Sequence, residues 1–436
     1  MKDLLMQLQD PNTQWVLFGT VLLGIASGVL GSFSLLRKQS LIGDAMAHAA
    51  LPGVCIAFLI YGSKSLLWFI VGAAVAGFIS TWLIHVIVKM SRVKEDSAIG
   101  IVLSVFFGFG IVLLTYIQNE STGNKSGLDD FIFGQAASLV RADVILISSI
   151  SIVLLFITAL FFKEFKVITF DPAFAKGLGI PVKWLDSLLI LMIVLAVVIG
   201  LQAVGVVLMA AMLITPAIAA RYWTDRLSLM IIISGAIGAI SGGVGTLIST
   251  TMRGLPTGPL IIVAATIIFL ISLVFAPKKG LLAAFIKHMK MRKKTAVQQF
   301  LLSLYDLSEQ RSFGQQSLDI NEVFTRRKIQ ANLHSYVMKE LENKGFIQVE
   351  KNQVSLTDKG LEVAYELTVE QRLYETYLMH EFEFQSSLNN KEFQFTLLNE
   401  MEQHRLYELM KMHGRMPLLV PQASKWKEKK VFMNEL

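Results

Sequence analysis

The chain has 436 residues, of which 53% are hydrophobic and only 17% charged, with a mean hydropathy of +0.56 and a formal net charge of +7. That is too apolar for a water-soluble protein of this size, which excludes a disordered chain or a conventional globular enzyme and predicts a membrane protein. Charge is unevenly spread: residues 1–280 hold 18 Lys and Arg against 13 Asp and Glu, and residues 281–436 hold 22 against 20, which predicts a membrane domain over 1–280, a basic linker over 281–294 and a water-soluble domain over 295–436.

Met1 to Gln14 is polar, and the apolar run that starts at Trp15 is too long for a signal-peptide core, so it reads as a retained helix. Hydropathy predicts nine spans in an all-α polytopic fold, at 15–36, 41–61, 65–89, 97–117, 142–163, 183–202, 203–221, 227–250 and 257–276. The sixth and seventh could be one long interrupted helix, but Gln202 and Gly205 at the join favour a tight turn. Basic residues fall in alternate links: at Arg37 and Lys38, Lys89 to Lys94, Lys163 to Lys183, Arg221 and Arg226, and Lys278 and Lys279. The positive-inside rule then predicts a multi-pass cell-membrane protein with its N-terminus outside and its C-terminal domain in the cytoplasm. Close-spaced glycines, from Gly72 to Gly77 and from Gly235 to Gly245, read as faces where helices approach closely in lipid. The single cysteine, Cys55, cannot form an intrachain disulfide and reads as a small core residue.

The second span carries an anomaly. Within S-L-I-G-D-A-M-A-H-A-A-L-P-G-V stand Asp44 and His48, four residues apart and hence on one face of a helix. An ionised carboxylate within a membrane costs about 3 kcal/mol or more and survives only with a partner or water. Two readings follow: an internal Asp–His hydrogen bond that locks the helix against a neighbour, or a half-site for a divalent cation. The cost of placing such a pair in a span favours the cation site. Pro52 and Gly53 follow and could kink or open the helix as a gate.

The link from Gln118 to Arg141 contains Phe131-Ile-Phe-Gly-Gln-Ala-Ala-Ser, too short to span and apolar for a loop, which predicts a re-entrant or interfacial segment. In the link from Lys163 to Lys183, Asp171 can cap a short helix, Pro172 suits its first turn, and Gly177 or Gly179 can end it. Phe174 and Ala175 on that helix either seal the end of their own bundle or meet a partner.

Beyond Pro277, Lys287 to Lys294 form a basic run suited to anionic lipid. Helices are expected at 296–308, about 319–325 and 326–343, then a hairpin turning at Lys351 and Asn352, then helices at about 358–380 and 392–414. This is a helix-turn-helix with a wing, a soluble α+β winged-helix domain.

S-L-I-G-D-A-M-A-H-A-A-L-P-G-V resembles the signature of the permease subunits of manganese, zinc and iron ABC importers. F-D-P-A-F-A-K-G-L-G-I-P-V, V-G-V-V-L-M-A-A-M-L-I-T-P-A and L-P-T-G-P-L-I-I-V match the same family in order and extend the resemblance over most of 15–276. It implies that Asp44 and His48 coordinate the transported metal. It also implies that Asp171, Pro172, Phe174, Ala175, Gly177 and Gly179 belong to a coupling helix, about 171–180, that docks on a cytoplasmic ATP-binding cassette ATPase. The expected partners are that ATPase, a second permease chain, an extracytoplasmic metal-binding protein and membrane lipid.

Residues 295–414 resemble the iron- and manganese-dependent transcriptional repressors, and the two halves together resemble the long manganese permeases. In the repressor pattern a ligand histidine corresponds to Gln371 and a carboxylate to Gln403, while Glu400 and His404 are kept as candidate regulatory ligands. Arg326, Arg327 and Lys328 could touch phosphate, but tail charge is nearly balanced, so nucleic acid is not an expected partner.

No G-x-x-x-x-G-K-[ST] occurs, so the chain has no P-loop to cradle ATP and is expected to be a transport subunit, not an enzyme, with hydrolysis in a separate chain. The expected cargo is a divalent transition metal, manganese foremost, with zinc or iron as alternatives, and no permanently bound cofactor is expected. Two other classes fit parts of the sequence: an ion-coupled secondary transporter using Asp44 and His48 as a proton relay, and a membrane-tethered metal-responsive regulator.

Overall fold

In hydrocarbon every backbone N–H and C=O must find its partner within the chain, so long apolar runs become helices. A computed structural model describes residues 11–37, 40–62, 66–119, 139–251, 255–311, 317–384, 395 and 398–421, in two compact units, Met1–Ala284 and Phe285–Leu436.

The first unit contains α1 (Pro11–Leu36), α2 (Ser40–Tyr61), α3 (Leu66–Met90), α4 (Glu95–Asn119), α5 (Arg141–Leu160), α6 (Phe162–Phe170), α7 (Pro172–Gly177), α8 (Val182–Val204), α9 (Val206–Trp223), α10 (Leu227–Thr251) and α11 (Thr257–Phe275). Among the described residues, eight helices are long and apolar enough to cross a membrane, one fewer than expected. The segment expected as a span at 203–221 is α9, whose 18 residues rise about 27 Å at 1.5 Å each, a little short of a bilayer core of about 30 Å. Gly205 separates α8 from α9 with φ 95°, and a Cβ on Gly200 would lie 2.2 Å from Met209 Sδ. The chain therefore reverses at Gly205, which excludes one long interrupted helix.

Helix α1 is enclosed: Val16, Leu23, Leu30 and Phe33 are each 1% exposed or less. Its main neighbour is α10, and small residues set the distance between them. A Cβ on Gly24 would stand 2.2 Å from the Gly238 carbonyl oxygen, and one on Gly238 would stand 2.1 Å from that of Gly24. Ser234 Oγ donates to Gly28 O at 2.6 Å and Thr246 Oγ1 to Thr20 Oγ1 at 2.9 Å, so hydroxyls bind the same seam.

The segment expected to be re-entrant, Phe131 to Ser138, lies outside the described residues. The link 163–183 folds as two helices where one was expected. Helix α6 buries Phe165 edge-on against Phe33 of α1, with centroids 5.8 Å apart, before α7 begins.

Helix α12 (Leu281–Gln310), most of it in the second unit, covers the expected linker 281–294, since no Gly or Pro interrupts the chain there. Then come β1 (Leu318–Asp319), α13 (Ile320–Arg326), a 3₁₀ turn at Ala331–Leu333, α14 (His334–Asn343), β2 (Ile347–Glu350), β3 (Gln353–Leu356), α15 (Asp358–Met379) and α16 (Glu400–Met412). The sheet is antiparallel with order β1-β3-β2, pairing Leu318 and Val349 with Val354 from opposite sides. The β2–β3 hairpin turns at Lys351, which has φ 56°.

The single helix expected at 326–343 is broken. Lys328 adopts φ 49° and Ile329 N–H donates to Phe324 O, a left-handed stop that ends α13. Phe300, Leu304, Tyr305, Val337, Leu341, Val354 and Leu373 form the core of this unit.

Candidate functional site

Helix α2 presents the anomalous pair. Its surroundings are dry: Ala45, Met46, Ala47, Ala49, Ala50 and Leu51 are all 1% exposed or less. Asp44 is the fifth residue of α2, one turn in from its start. His48 Nε2 stands 3.4 Å from Asp44 Oδ1, with the imidazole 14% and the carboxylate 35% exposed. The His48 ring meets Phe107 of α4 edge-on, with centroids 4.7 Å apart. Nδ1 of His48 is buried and has no hydrogen-bond partner among the described residues.

At 3.4 Å the pair is too long for a strong hydrogen bond. An oxygen and a nitrogen that share one cation at about 2.0–2.2 Å stand about 3.0–3.5 Å apart, so the spacing fits two ligands of one ion. Among the described residues no group of three or more His, Cys, Asp or Glu could hold a metal ion. Two donors alone do not fill a four-coordinate shell.

Helix α2 continues through Pro52 to Tyr61. Gly53 serves close packing: a Cβ there would lie 2.2 Å from Gly72 O on α3. Pro52 is opposed by Gly110 of α4, where a Cβ would stand 2.9 Å from Pro52 Cδ. Pro52 and Gly53 thus pack closely against α4 and α3.

At the other candidate surface, Asp171 caps α7, its carboxylate accepting from Phe174 N–H at 2.9 Å, with Pro172 in the first turn. Gly179, at φ 76°, ends the turn while Ile180 N–H donates to Ala175 O at 3.1 Å. Gly177 is the last residue of α7, and Ala175 is buried. Phe174 is 57% exposed, as are Phe170 and Leu178 at 59% each. Helix α7 thus packs on its own unit through Ala175 and leaves Phe174 exposed. The non-helical backbone at Asp171 separates Phe170, the last residue of α6, from Phe174 on α7, and Leu178 is the C-cap of α7, so helical spacing in the sequence does not group the three.

Arg37, at the end of α1, reaches Asp186 on α8 at 2.8 Å, beside this surface in the chain. Sequence reasoning gave neither residue a role beyond topology.

In the second unit, Glu400 and His404 share α16 and are exposed, with no hydrogen bond or ion pair joining them among the described residues. Gln371 accepts from Arg327 Nη1 at 2.9 Å and donates to Glu375 at 2.7 Å, while Gln403 donates to Leu398 O at 2.8 Å. Both glutamines are thus occupied in holding the fold. Arg327 is also paired with Asp306 at 2.7 Å, which withdraws it from phosphate contact, whereas Arg326 and Lys328 stay exposed. Arg372 pairs with Glu309 at 2.5 Å. Burial would lower its pKa, but hydrogen bonding and charge from Glu309, with Asp306 behind, raise it overall. Burial likewise pushes up the hydroxyl of Tyr305, which donates to Leu419 O.

Residues 9–276 match the model of the ABC 3 transport family. The chain is 56% identical over 418 residues to the manganese transport system membrane protein MntC of Bacillus subtilis (strain 168), covering 95% of each chain. It is 42% identical over 282 residues to the zinc transport system membrane protein TroC of Treponema pallidum (strain Nichols), covering 65% of this chain and 95% of that one. Among solved structures it resembles PsaBC from Streptococcus pneumoniae in complex with Fab, with 33% identity and a TM-score of 0.58, covering 64% of this chain and 97% of that one.

Proposed function

This chain belongs to the ABC 3 transport family, and we propose that it is the membrane permease of an ATP-driven importer whose cargo is manganese. The observation that carries this reading is the convergence of Asp44 and His48 at 3.4 Å on a helix whose neighbouring side chains from Ala45 to Leu51 are buried and apolar. Two permease chains face each other, each supplying one carboxylate and one imidazole, and together they complete a shell that one chain leaves half made. Likeness to MntC supports manganese; likeness to TroC favours zinc as a second cargo, and oxygen and nitrogen ligands accept both ions.

Helix α9 is a ninth crossing, and the basic links place the N-terminus outside and the tail in the cytoplasm. The exposed side chains of Phe170, Phe174 and Leu178 receive a separate ATPase subunit, while an extracytoplasmic metal-binding protein delivers the ion. The second unit is a winged-helix regulatory or assembly module, a reading supported by α13, α14 and the β2–β3 hairpin. The test is uptake into proteoliposomes that hold this chain with its ATPase: manganese should enter only with ATP inside the nucleotide-accessible compartment. ATP-independent uptake driven by an ion gradient would overturn the reading in favour of a secondary transporter.

A further inference from the structure

His380 is the C-cap of α15 and His413 the C-cap of α16, and their Nε2 atoms stand 2.9 Å apart. Glu383 Oε1 lies 2.7 Å from His380 Nδ1, and its other oxygen accepts from Arg405 Nη2 at 3.2 Å. A carboxylate on Nδ1 holds the proton there and leaves the Nε2 lone pair free, the usual arrangement behind a metal-bound histidine. Two nitrogens at about 2.0–2.1 Å from one ion stand about 2.9 Å apart at a right angle and about 3.4 Å apart at the tetrahedral angle.

The observed separation therefore suits one ion shared by both rings, with an opening of about 0.5 Å for tetrahedral zinc. Both rings also sit at helix C-termini, whose unpaired carbonyls favour positive charge. His380 is 23% exposed and His413 is exposed, so solvent ligands can reach the pair.

We propose that His380 and His413 form a divalent metal site of the zinc, nickel and copper class, oriented by Glu383, that clamps the ends of α15 and α16. This site is separate from Asp44 and His48 and from Glu400 and His404. Imidazole nitrogens with no directly ligating carboxylate select late first-row ions over manganese. The site thus responds to ions other than manganese, the foremost proposed cargo.

The test uses the full-length detergent-solubilised chain carrying Asp44→Ala and His48→Ala, stripped with chelator, so that the transport pair does not contribute. Zinc titration should give one equivalent that His380→Ala and His413→Ala each abolish and that Glu383→Gln weakens by about 10–100-fold. In the chain with both histidines intact, zinc should protect His380 and His413 together from diethyl pyrocarbonate, read by mass spectrometry, at concentrations where manganese does not. Retention of the equivalent in both histidine variants, or equal modification with and without zinc, would overturn the site and leave the contact as an imidazole–imidazole hydrogen bond. Equal protection by manganese would overturn the metal class.

Discussion

Arg37 Nη2 donates to Asp186 Oδ1 at 2.8 Å, joining the end of α1 to the start of α8 across 149 positions of sequence. The guanidinium is 13% exposed and its Nη1 is buried without a partner among the described residues, so Asp186 is its main compensation. Removing the carboxylate strands a charge, at a cost of about 1–3 kcal/mol. Asp186→Ala should therefore lower the thermal stability of the solubilised chain and reduce uptake. Arg37→Asp with Asp186→Arg should restore part of both; a double variant no better than either single one would show that the pair itself does not matter.

Asp44→Asn keeps the shape of the side chain but removes its charge, and His48→Ala removes the second ligand. Each should weaken metal binding by at least about 10–100-fold, the range seen when only an outer partner is lost. Both variants should still insert in the membrane. Binding measured on the purified chain checks the ligand role separately from transport, and wild-type affinity in both variants would refute it.

Phe174→Glu should prevent the ATPase subunit from co-purifying, because it puts a charge in place of an exposed apolar side chain of α7. Asp171→Ala removes the cap of α7 and should cost about 1 kcal/mol locally, giving a milder loss. Cysteines at Phe174 and Leu178 offer a direct check, since cross-linking should capture the partner from both positions.

Gly24→Val should block assembly of the bundle, because even a Cβ at this position meets the Gly238 backbone at 2.2 Å. Overpacking of about 1–3 kcal/mol is expected for smaller intrusions, and backbone cannot move aside as a flexible side chain does. Protease resistance of the membrane unit would report the loss. Gly100→Val, at a glycine with nothing within 4 Å, serves as the control and should be tolerated.

A stop codon after Lys294 removes the half of α12 that buries Phe300, Leu301 and Leu304, along with the sheet and its helices. Such a chain should retain ATP-dependent uptake but lose its response to internal metal. Within the full chain, Arg372→Ala should destabilise the second unit by about 1–3 kcal/mol, leaving the largely buried Glu309 without its cation while Asp306 keeps Arg327. Loss of uptake from a truncated chain that still inserts and binds its ATPase would make the tail part of the transport cycle.

The sequence alone determined the features that depend on near neighbours. Apolar runs specify membrane helices because lipid leaves the backbone no other partner, and Asp44 and His48 share a face because they are four residues apart. Asp171 and Gly179 bracket a short helix because a cap and a left-handed turn are local chemistry. Tertiary structure decided what hydropathy cannot rank. Hydropathy does not rank spans by enclosure, since α1 and α10 have the same mean hydropathy although α1 is far more buried, so hydropathy does not mark α1 as the enclosed helix on which α10 packs. The approach of Phe107 to His48, the Arg37–Asp186 pair and the meeting of His380 with His413 each join elements remote in the chain. Gln371 and Gln403 likewise read as missing ligands, until the fold shows them hydrogen-bonded to Arg327 and to the Leu398 carbonyl.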